Sequence, residues 1–220
     1  LFLTISTLFV WFFDTEFNAL NSGFADMNVF FTLIPWLLMF LIPVIGMRSF
    51  SDEIRSGTLE LLLTKPIGLW NLVIGKFLGG FFLLLFALLP TLVYFIAINE
   101  LKVDNASVDW GSTFSGYLGL LFLGSGFLSI SIFSSLLSRN QVTGFLVATL
   151  IIFFQFYLWS GIADLSQNAL VYNIINEIGM QEHYYSMSLG VIAIKDLIYF
   201  IGLNSFFLYS CTFLLKQIKR

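Results

Sequence analysis

The sequence predicts an all-α fold: a polytopic membrane bundle of six transmembrane helices, the first truncated at its start. A charged helix between spans two and three and an outer interfacial helix before the last span complete the layout. Three observations carry this reading. Of 220 residues, 58% are hydrophobic and only 10% charged, whereas a soluble domain is about a quarter charged. Mean hydropathy is +0.92, which fits a chain solvated mostly by lipid. Five stretches of 19 to 24 residues carry no charge at all, and helices are the open structures that satisfy their own backbone in lipid.

The spans follow in order. Residues 1–13, LFLTISTLFVWFF, are apolar and uncharged. They are shorter than the roughly 20 residues of a span and lack the basic start and cleavage site of a signal peptide. They read as the second half of a first span that begins before Leu1. The other spans are 29–47, 77–98, 114–137, 142–163 and 197–215, giving a single transmembrane domain over 1–220. Pro35, Pro43 and Pro90 fall inside spans, as tolerated kinks or as hinges. Gln155 and Asn204 are polar positions in spans five and six, suited to hydrogen bonds between helices or to lining a pathway. No Asp, Glu, Lys or Arg lies mid-span, which argues against a proton relay or ion coupling.

Orientation follows from the basic residues. Six spans place Arg48, Arg55, Lys65, Lys76, Arg139, Lys216, Lys219 and Arg220 on one side and only Lys102 and Lys195 on the other. The basic side is cytoplasmic by the positive-inside rule, and both termini lie there. Basic charge is too sparse for a nucleic-acid surface. The lone Cys211 has no partner for an internal disulfide and no metal-site spacing.

Residues 48–65, RSFSDEIRSGTLELLLTK, hold six charges, too many for the hydrocarbon. Ser51 is placed to cap a helix that opens on Asp52 and Glu53. Gly57 interrupts or bends it, and Pro66 ends it at Lys65. The Leu cluster at 59 and 61–63 fits an amphipathic helix lying on the membrane. The same helix can dock into a soluble partner with its other face. Glu53, Gly57-Thr58-Leu59-Glu60, Leu62 and Pro66, followed by Gly75-Lys76, resemble the signature of ABC-2-type ABC transporter permeases. FLIPVIGMRSF at 40–50 joined to SGTLELLLTKPI at 56–67 is similar to the gliding-motility-associated permease of Bacteroidetes-type bacteria. The resemblance covers the whole chain in layout and is sharp in residues over about 40–80.

That resemblance implies a permease subunit of an ATP-binding cassette exporter in a bacterial inner membrane, tied to gliding motility, with ATP hydrolysis in a separate chain. It implies a coupling helix at about 51–65, with Glu53, Arg55, Gly57, Thr58 and Glu60 near the ATPase. It also implies partners: the ATP-binding subunit, a second permease copy or paralogue, an accessory membrane subunit, and lipids. No cofactor is implied, and the substrate is unspecified. The rival reading is a non-transporting scaffold or channel component of a motility or secretion complex, which would work without an ATPase.

Other patterns suggest chemistry that their residues do not support. Gly68 to Phe77 superficially matches a phosphate-binding loop, but six residues separate Gly68 from Gly75-Lys76. The loop needs four, with Ser or Thr where Phe77 stands. Gly124-Ser125-Gly126 lacks a base for a serine nucleophile, since the one histidine, His183, sits in an outer loop. Close helix packing explains it better, as it does Gly75-x-x-x-Gly79 and Gly116-x-x-Gly119, within the chain or between subunits. Asn105-Ala-Ser107 matches a glycosylation acceptor, relevant only in a secretory eukaryotic setting. In 164–196, the spacing of Ala169, Leu170, Tyr172, Ile174, Ile175, Ile178 and Met180 predicts one interfacial helix of about 10–14 residues. His183, Tyr184 and Tyr185 read as interfacial aromatic anchors.

Overall fold

A computed structural model describes residues 1–21, 26–102 and 109–219, and every described element is helical. The acceptor Asn105 and Ser107, together with Asp104 and Arg220, lie outside the described residues. Among the described residues, five helices are long and apolar enough to cross a membrane: Asn28–Ser56, Leu69–Leu101, Trp110–Leu136, Gln141–Asp164 and Ile194–Ile218. The apolar helix at the N-terminus, α1 (Phe2–Thr7) with a π-turn over Leu8–Phe12, is shorter than a span.

The second helix, α2 (Asn28–Gly46), runs through Met47, which is itself right-handed, into α3 (Arg48–Ser56). Gly57, in the left-handed region at φ 71°, ends α3 and starts α4 (Thr58–Thr64). The interruption expected at Gly57 is therefore present, because a residue without Cβ tolerates that conformation. Lys65 is extended, as its place before Pro66 requires. The next span is α5 (Leu69–Leu88), a 3-10 turn at Leu89–Thr91 around Pro90, and α6 (Leu92–Leu101). It starts well before residue 77, so Lys76 lies inside the helix. Then come α7 (Trp110–Leu136), α8 (Gln141–Phe153), a π-turn at Phe154–Leu158, and α9 (Trp159–Asp164).

The core forms around α7, which packs against α2, α3, α5, α8, α11 (Met180–Ser188) and α12 (Ile194–Ile218). A Cβ on Gly116, Gly124 or Gly126 would collide with Phe31, Leu84 or Met180 respectively, so the small residues of α7 serve packing within the chain. Buried Ser129, Ser131, Ser134 and Ser135 each donate to a carbonyl one turn back, leaving no unpaired hydroxyl among apolar neighbours. By contrast, nothing lies within 4 Å of a Cβ built on Gly75 or Gly79. Asn204 of α12 donates to Ser125 of α7 at 2.8 Å, a hydrogen bond between helices.

The outer segment departs from expectation. Instead of one helix it holds two, α10 (Ala169–Asn176), which buries none of its residues, and the largely buried α11. They separate at Gly179, where a Cβ would crowd Trp159 and the Asn176 carbonyl. His183 and Tyr184 are buried, not interfacial anchors; Tyr185 is exposed. His183 Nδ1 lies 2.7 Å from Asp196 Oδ1, Nε2 lies 2.9 Å from the Glu177 carbonyl, and the ring stacks on Tyr199. Neighbouring polar groups from α12 and the preceding turn drew the imidazole inward, a long-range pairing that the aromatic run does not reveal. The Tyr184 hydroxyl donates to the Phe31 carbonyl at 2.5 Å, and burial pushes its phenol well above the ordinary value. That carbonyl is the one whose helical donor would be the missing N–H of Pro35.

Candidate ATPase-coupling site

The elbow formed by α3 and α4 packs on α7 and α8, meets α5 through Lys76, and faces the ends of α7 and α12 across a cleft. Its inner face is anchored by apolar burial. Phe50 is fully buried, and Leu59 and Leu63 are buried nearly as deeply, the two leucines falling one helical turn apart on α4. Ser51 is fully buried as well, and its hydroxyl donates to the Met47 carbonyl. It does not cap a helix, because α2 enters α3 without any residue that would break it.

Charged groups complete the anchoring. The Lys76 ammonium lies 2.6 Å from Glu53 Oε1, donates to the Ser49 carbonyl, and sits 4.5 Å from the centre of the Phe50 ring. Three kinds of contact thus hold one cation: an ion pair, a carbonyl and an aromatic face. Gln141, at the start of α8, donates to Asp52. The elbow is therefore bound through side chains to α5 and to α8.

The five residues singled out for coupling divide between two faces. Glu53 turns inward to Lys76. Arg55, Gly57, Thr58 and Glu60 are exposed together on the outward side. The Ser56 and Thr58 hydroxyls meet across the Gly57 break at 2.8 Å. Ile54, Gly57, Leu59 and Glu60 border an open cleft of about 320 Å³ whose far wall is Arg139 and Ile218. Beside it a smaller cleft of about 200 Å³ is lined by Glu53, Thr58, Leu61, Leu62 and Lys65. Leu61 is 67% exposed, an apolar tip among charges, the composition of a polar, transient interface.

Sequence reasoning missed Asp52–Gln141, the burial of Phe50, and Arg139 as a cleft wall. Lys76 was singled out as part of a motif, but its partner lies 23 positions away, and one sequence holds no signal for that pairing. The same geometry disposes of the phosphate-loop pattern. Gly68 precedes α5, Gly75 and Lys76 lie within it, and the lysine is occupied by Glu53.

Comparisons with known proteins identify the family. The family described as "ABC-2 family transporter protein" matches residues 6–210. The chain is also similar to the "Probable ABC transporter permease protein NosY" of Pseudomonas aeruginosa, with 32% identity over 140 residues, or 60% of this chain. That match covers 49% of the relative, so the chain spans about half the length of the curated protein it matches. With five membrane-length helices and a family match over nearly its whole length, this chain belongs to the ABC-2 family of transporter proteins.

Proposed function

We propose that the chain is the permease subunit of an ATP-driven exporter in a bacterial inner membrane, working with a separate ATPase and a second permease half. The elbow carries this reading. Its outward face, Arg55, Gly57, Thr58 and Glu60, is exposed, while its inward face is bound to α5 and α8. A helix free on one side and fastened on the other is suited to pass a push from a soluble motor into the bundle. In this reading the elbow and both termini face the cytoplasm, in keeping with the basic side, and residues 1–13 belong to a sixth span. The gliding-motility assignment rests on the similarity of residues 40–50 and 56–67 described above, and an accessory membrane subunit belongs with it.

The adjacent reading frame should encode a chain with a complete phosphate-binding loop, and the test is co-purification with that chain, followed by ATP hydrolysis in proteoliposomes. The permease should change the hydrolysis rate. Glu60→Lys should abolish that change while membrane insertion stays normal, because it alters an exposed face; Gly57→Trp, which also strains the left-handed backbone between α3 and α4, should abolish it by displacing the elbow. A rate indifferent to the permease would instead favour a scaffold or channel.

A further inference from the structure

The outer half of the bundle carries a groove between α5–α6 and α7, at the end away from the elbow. Below it the two helices are in close contact: a Cβ on Gly80 would strike Leu128, and one on Gly124 would strike Leu84. Immediately beyond, from Leu85 onward, a groove of about 370 Å³ opens past the Pro90 turn. Leu88 and Phe95 form its buried floor, and Leu92, Phe114 and Trp110 its exposed rim.

The lining presents almost no polar surface to a ligand. Of the hydroxyls in it, Thr113 donates to the Asp109 carbonyl at 2.9 Å, and Tyr117 pairs with Thr91 at 3.0 Å. Any occupant must therefore be aliphatic or aromatic throughout. From Leu85 to Phe95 the helix rises about 15 Å at roughly 1.5 Å per residue, close to half of a bilayer core about 30 Å thick. The groove ends at Trp110, whose ring meets Phe95 edge-on at 4.4 Å between centres, and tryptophan favours the level of the headgroups. Scaled from a cavity of roughly 150 Å³ that holds one six-carbon benzene ring, the volume suits about fifteen carbons.

Length, depth and chemistry converge on one ligand. We infer that this groove is a binding site for one acyl tail of a phospholipid in the leaflet opposite the elbow. The tail runs from the Trp110 level to the bilayer midplane, and its inner end stops where Leu84 and Gly124 close the helices together.

The test uses the full chain purified in detergent, with Trp11, Trp36, Trp70 and Trp159 changed to Phe so that Trp110 is the sole fluorophore. Phosphatidylcholines brominated on tails of increasing length are titrated in. Quenching should saturate as a single site and prefer one tail length. Filling the inner end with Leu85→Phe and Leu121→Phe should move the preference to shorter tails and weaken the original best ligand about tenfold. Phe114→Ala, on the exposed rim where folding is not at stake, should weaken binding at every tail length. Quenching that rises without saturation, or that ignores tail length and both sets of variants, overturns the inference. So does loss of quenching on self-association, which would give the groove to a second copy of the chain.

Discussion

At the scale of residues, Lys76 concentrates the most interactions at the elbow. It binds Glu53, the Ser49 carbonyl and the Phe50 ring, and both ionic partners are partly buried. Hydrogen bonds to charged groups contribute about 1.5–3 kcal/mol each, so Lys76→Met should loosen the elbow from α5. In the proposed coupling, ATP hydrolysis by the partner should then no longer produce transport. The charge-reversed pair Lys76→Glu with Glu53→Lys should recover part of the coupling that either single change removes, measured as transport per ATP hydrolysed. Additive losses would show that the ion pair does not link the two elements. The residue types were legible in the sequence, but the pairing was not. The resemblance to ABC-2 permeases implies Glu53 near the ATPase together with Arg55 and Glu60, whereas tertiary contact turns it inward to Lys76.

At the scale of elements, Pro35 of α2 and Tyr184 of α11 form a single unit. Pro35 has no N–H to give to the Phe31 carbonyl, and Tyr184 supplies the donor instead. Tyr184→Phe should therefore destabilise the protein by about 1–3 kcal/mol. In a Pro35→Ala background, where residue 35 regains an N–H, the same change should cost much less. Thermal melts of the four proteins in detergent measure the difference, and equal costs in both backgrounds would refute the pairing. Spans and their breaks were legible because apolar runs, Gly57 and Pro66 act locally. The split of the outer segment into α10 and α11 was not, since one amphipathic pattern fits an exposed helix and a buried one alike.

At the scale of the whole molecule, the glycines separate two kinds of surface. Gly124 faces Leu84 inside the bundle, whereas Gly79 looks onto open space. Gly124→Leu should cost about 1–3 kcal/mol through overpacking. Gly79→Leu should leave the melt of the isolated chain unchanged; a comparable drop would mean that the α5 face packs within the chain. In the sequence both read as small residues for close approach, and only the assembled bundle tells which approach is made. Layout, by contrast, was largely legible, because the bilayer dictates segment length and the avoidance of charge.

The unbroken course of α2 into α3 has a mechanical corollary. A rod of 29 residues extends about 43 Å at roughly 1.5 Å per residue, longer than the hydrocarbon it crosses. Its inner end is itself part of the elbow and its outer end meets Tyr184, so one continuous helix, carrying Pro35 and Pro43, joins the two membrane faces. Tilting such a beam by a few degrees would shift the cap of α11 as surely as it shifts Glu53, making the two membrane faces opposite arms of one rocker.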